Sequence, residues 1–106
     1  MIKISFFYDE NGKPSGFEFS GHAGYAESGN DIVCAAVSAM VFNTINSIES
    51  FSKTDFEVEK DKKRGFICFR LKDEADREAE ILLRSLILGT DSVRESYGKQ
   101  FIRIEK

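Results

Sequence analysis

Apolar and polar residues alternate through "IKISFFY", residues 2–8, with Ile2, Ile4, Phe6 and Tyr8 on one side. That period of two predicts a half-buried strand. The cluster "DENGKPSG" follows, built on Asn11-Gly12 and the only proline, Pro14, and predicts a turn. Residues 16–20 form a second strand with Phe17 and Phe19 inward, so the two strands make a hairpin. The glycine-rich run "GHAGYAESGN" then reads as a loop.

The period changes after Asp31, which suits an N-cap because its carboxylate can accept a free amide of the first helical turn. In "IVCAAVSAMVFNTINSIESF", residues Val33, Val37, Met40, Val41, Thr44 and Ile48 fall on one helical face. Phe56 and Val58 mark a third strand, residues 61–65 a turn, and "FICFRL", residues 66–71, a fourth strand. The stretch "DEADREAEILLRSLILG" predicts a second helix that buries Ala79, Leu82, Leu83 and Leu86 and stops at Gly89. "QFIRIE" is a last strand with Ile102 and Ile104 inward. The order ββα-ββα-β predicts an α+β two-layer sandwich: a mostly antiparallel sheet with two helices on one face.

The length of 106 residues fits one domain spanning 1–106, and 42% apolar residues with ten Phe suffice for one core. The alternation also turns Phe7, Phe66, Cys68 and Phe101 away from the helices. Aromatic residues on an outer face call for a cover, most simply a second copy of the chain.

Charge and composition then exclude several classes. The net charge is −3 and the pI about 5.2, without the basic excess of a nucleic-acid binder. The basic run "KDKKRG", residues 60–65, reads as a solvated hairpin tip. No apolar run is expected to reach the length of a membrane span, and the start lacks the pattern of a signal peptide. Two cysteines make neither a disulfide framework nor, without paired histidine spacing, a zinc site. A cytoplasmic protein with two free thiols is expected. "DEAD" at 73–76 spells a helicase signature, but no phosphate-binding loop accompanies it.

The candidate chemistry lies in "GHAGYAESGNDIVCAAVSAM", residues 21–40, which holds the only histidine, His22, and Cys34. Cys34 follows the expected cap by three residues. Free amides and the helix dipole there stabilise a thiolate and can receive an oxyanion. A neighbouring His22 would pair with that thiolate and protonate a leaving amine. Equally, a free cysteine often serves as a small buried hydrophobe, and a lone histidine can be a surface residue without a role. Ser38, one turn after Cys34, either steadies the thiol or bonds back to a helix carbonyl. Asp31 has a sufficient task as a cap and could also orient His22. Gly21, Gly24 and Gly29 either allow backbone movement or positive φ in a loop that closes over a substrate, or are equally what any loop would use. Cys68, mid-strand and far from a helix end, reads as structural.

The same run resembles the signature of the ribosomal-processing cysteine protease family, Prp. The likeness rests on Gly21-His22-Ala23-Gly24, Gly29, Asp31, Val33-Cys34-Ala35-Ala36 and Ser38. It implies a cytoplasmic bacterial endopeptidase that removes a short N-terminal extension from large-subunit ribosomal protein twenty-seven, apolar and aromatic near the cut. It further implies a homodimer, a catalytic pair at Cys34 and His22, and supporting places for Asp31 and Ser38. No metal or cofactor, nucleic-acid contact or membrane is implied. Beside this stand a non-catalytic module that docks on the assembling ribosome and a redox-sensing thiol.

Overall fold

The computed structural model describes residues 1–21 and 30–106; for Asn30 and Asp31 it describes the backbone only. The elements run β1 (Ile2–Tyr8), β2 (Pro14–Ser20), α1 (Asn30–Phe51), β3 (Phe56–Asp61), β4 (Phe66–Leu71), α2 (Arg77–Tyr97) and β5 (Ile102–Glu105). They form a five-stranded sheet in the order β3-β4-β2-β1-β5, antiparallel except for the β1–β5 pair. The two helices cover one face. The expected α+β sandwich is the fold found.

The hydrophobic pattern explains the layer between sheet and helices. Ile2, Ile4 and Phe6 of β1 lie beside Phe17 and Phe19 of β2, which in turn lie beside Ile67 and Phe69 of β4. Phe17 and Phe69 stack at 5.2 Å between ring centroids. From the helices, Val33, Val37, Val41 and Ile48 of α1 and Ala79, Leu83 and Leu86 of α2 complete one core. At about 25 cal/mol per Å² of apolar area removed from water, this layer is the main force holding the fold.

Several expectations are corrected. Tyr8 is exposed rather than buried, because the pairing register shifts between Phe7 and Tyr8 and turns it out. β2 starts at Pro14, two residues early. α1 starts at Asn30, so Asp31 is the helix's second residue and not its cap. Over Ile32–Phe51 this helix is long and apolar enough to cross a membrane by length and composition, contrary to expectation; in this fold its valine stripe packs on the sheet.

α2 begins at Arg77 and does not stop at Gly89. Its cap is Asp76, whose carboxylate accepts the Ala79 amide at 2.8 Å, and its end lies at Gly98. Gly89 serves a close approach instead: a Cβ there would stand 2.8 Å from Met40 Sδ. The glycine lets α2 rest against α1. The helices run antiparallel, with Met40 against Gly89 and Ser52 bonded to Asp76.

The outer sheet face departs from expectation at one residue. Phe101 packs against the core. Phe7 faces outward, where Arg70 covers its ring at 4.3 Å; Phe66, the first residue of β4, borders both the outer face, where Arg64 lies 5.5 Å from its ring, and the hollow beside α1. Arg70 reaches Phe7 across Gly16, which has no side chain to block it. Guanidinium groups thus lie over both rings on that face.

Candidate active site

The candidate residues meet where β2 ends, β4 begins and α1 begins. Cys34 is the fifth residue of α1, and helical side chains lean toward the N-terminus. Its thiol is free, half-buried and packed at the margin of the core. Ser38 follows one turn later, its Oγ 3.9 Å from Cys34 Sγ. Phe42 comes another turn on, so Cys34, Ser38 and Phe42 form one line along the helix.

These three residues line a pocket of about 260 Å³. Its walls are mostly apolar, with Phe19 from β2 and Phe66 and Ile67 from β4 joining Phe42. Lys60, Asp61 and Lys62 border it at the end of the β3–β4 hairpin. The Lys60 ammonium stands 5.6 Å from the centre of the Phe42 ring. An oily cavity beside a thiol, with a charged border, is the form of a site for one large side chain next to a reacting bond.

Two glycines shape it. Gly21 donates its amide to the Gly65 carbonyl at 2.9 Å, which ties the end of β2 to the start of β4. A Cβ on Gly21 would stand 3.0 Å from both Cys34 Sγ and Phe19 Cζ, so only glycine fits there without displacing the thiol. Gly65 has φ 60°, the left-handed conformation that closes the hairpin.

Of the residues singled out from the sequence, the structure brings together Gly21, Cys34 and Ser38. His22, Gly24 and Gly29 lie outside the described residues, as does the side chain of Asp31. Cys68 is elsewhere, on the outer sheet face between Glu18 and Glu59 of the flanking strands. Burial pushes its thiol up, with the Arg70 guanidinium opposing. Phe42, Phe66, Lys60 and Lys62 were not foreseen as site residues. The spacing of four from Cys34 through Ser38 to Phe42 was the available signal for the first.

The chain is similar along its length to characterised proteins. The family model described as cysteine protease Prp matches residues 1–102. The ribosomal processing cysteine protease Prp of Staphylococcus aureus is 28% identical over 99 residues, 93% of each chain. The protein of that name from Bacillus subtilis is 31% identical over 85 residues, 76% of each. Among solved structures, S. aureus Prp in complex with a substrate peptide superposes with a TM-score of 0.91 at 28% identity, covering 99% of this chain and 98% of the other. The same protease with a covalently linked product peptide gives 0.86 over the same shares. With the family model spanning nearly the whole sequence and a free thiol at the head of an apolar pocket, the chain belongs to the Prp family of cysteine proteases.

Proposed function

We propose that the protein is a cysteine endopeptidase that removes the N-terminal extension of large-subunit ribosomal protein twenty-seven, with Cys34 as nucleophile and His22 as its acid–base partner. The observation that carries the reading is the Cys34 thiol opening onto an apolar pocket near the start of α1. Phe19, Phe42, Phe66 and Ile67 offer an environment for an aromatic side chain next to the scissile bond. The names of the relatives, which are ribosomal processing proteases, support a ribosomal substrate.

The chemistry is acyl transfer. The Cys34 thiolate attacks the scissile carbonyl carbon, and the carbonyl electrons move to oxygen. The tetrahedral adduct collapses as His22 gives its proton to the departing amine, leaving a thioester on Sγ. His22 then takes a proton from water, hydroxide adds to the thioester, and the carboxylate product leaves as the thiol is regenerated. Gly21, whose backbone lies against the thiol, precedes His22 in the sequence. Ser38 is near enough to the sulfur to hold its orientation. Asp31 is assigned a supporting role on the family resemblance. The enzyme works in the cytoplasm, where ribosomes assemble and thiols stay reduced, and as a homodimer.

The test is cleavage of a peptide spanning the ribosomal extension by the wild type, Cys34→Ser and His22→Ala, read by mass spectrometry. One cut, abolished in Cys34→Ser and nearly so in His22→Ala, is expected. An intact peptide with folded wild type overturns catalysis and favours a docking role. Sedimentation at micromolar concentration reads the dimer.

A further inference from the structure

We infer that Lys60 and Lys62 form a cationic border that selects substrates carrying an acidic residue beside the side chain held in the pocket. The inference rests on the protease reading and adds to it a charge preference. The chain as a whole is acidic, at −3, yet the hairpin tip concentrates Lys60, Lys62, Lys63 and Arg64 around one Asp61.

Strand alternation sorts the charges at this point. Lys60 pairs with Ile67, whose side chain is in the core, so Lys60 lies on the pocket side. Glu57 and Glu59 pair with Arg70 and Cys68 on the outer face, away from the pocket. Asp61 is committed to the turn: its Oδ1 accepts the amides of Lys63 at 3.1 Å and Arg64 at 3.3 Å. Among the described residues, neither Lys60 nor Lys62 takes part in an ion pair. Lys60 is steadied above the Phe42 ring, so its charge is held at the edge of the apolar wall.

A peptide that fills the pocket with an aromatic ring must pass this border. A carboxylate on a residue two or three positions from the ring meets two ammonium groups, whereas a lysine there meets like charge. Exposed pairs of this kind give a modest energy each, so the preference is a bias rather than an absolute requirement.

The experiment uses three peptides identical except for Asp, Asn or Lys near the aromatic residue, scanned over the flanking positions. At low salt, kcat/KM for the best Asp peptide should exceed that of its Asn counterpart by about threefold to tenfold, with Lys lowest. The ratio should collapse toward one in Lys60→Gln/Lys62→Gln, return in Lys60→Arg/Lys62→Arg, and shrink in 0.5 M salt, where screening is short-ranged. Equal rates for Asp and Asn at every position, or a preference that survives the double Gln variant, overturn the inference. Binding of fluorescent versions of the same peptides to Cys34→Ala reads the same preference without cleavage. It therefore separates a failure of the charge border from a failure of the protease reading.

Discussion

Gly21 and Cys34 are in mutual contact across the end of β2: a methyl group on the glycine would stand 3.0 Å from the sulfur. The Phe19 ring closes the same space from the other side at the same distance. Gly21→Ala must therefore move either the Cys34 sulfur, the nucleophile in the proposed mechanism, or the pocket wall. Displacement of a reacting atom by a fraction of an ångström is costly in rate. Peptide cleavage should fall by roughly tenfold or more, with the melting temperature lowered by only a few degrees. A variant with normal turnover would mean that the sulfur's place is not set by this contact.

The two thiols should differ in reactivity. Cys34 opens onto the pocket, while Cys68 is covered on the outer sheet face with its thiol pushed up by burial. Thiolate is the reactive form, so iodoacetamide at neutral pH should label Cys34 roughly tenfold faster. Peptide mapping over time measures both rates in one sample.

Asp76 predicts an acid limb. Its carboxylate accepts the amides of Ala79 and Lys53 at 2.8 Å and the Ser52 hydroxyl at 2.7 Å. These bonds, led by the Ala79 amide, hold its pKa down to about 2 from an ordinary 3.8. A carboxyl lowered in the folded state contributes stability that is complete above the unfolded value and lost on acidification. The loss should fall between about pH 4 and pH 2. Asp76→Asn should flatten that part of the denaturation curve, and Asp76→Ala should lower the melting temperature by several degrees at pH 7. An unchanged acid limb in the Asn variant would contradict the assignment.

Gly89 sets two terms against each other. Alanine inside a helix gains about 1 kcal/mol over glycine. Its methyl group meets the flexible end of Met40 at 2.8 Å, and that end must move. Gly89→Ala should therefore change stability by less than about 1 kcal/mol. Gly89→Leu has no room between the helices and should cost about 2 kcal/mol or more. Urea denaturation distinguishes the two.

The α+β sandwich was legible because Ile2, Ile4, Phe17, Phe19, Val33, Val37 and Leu83 follow the periods of strand and helix, and all are buried as read. The errors came where tertiary contact overrides a local signal. Gly89 resembles a helix stop, yet it lies mid-helix because Met40 needs the space. Phe101 follows the outward alternation, yet it packs against the core. Cys34 and Gly21 stood out through their shared motif. Lys60 and Phe42 did not, because their meeting joins a helix and a hairpin that no spacing along the chain connects.

The parallel seam between β1 and β5 joins residues about a hundred positions apart, from Ile2 beside Ile102 to Ser5, which donates to Glu105. β5 has only four residues, and among the described residues no strand lies beyond its other edge. It acts as a removable cover for the backbone edge of β1. Non-local pairing of this kind forms slowly, and a short edge strand is the first to detach. Once β5 lets go, the uncovered edge of β1, with Ile2 and Ile4 beside it, is a template for another chain. The weak point toward aggregation is thus the last strand, at the side of the sheet far from the thiol.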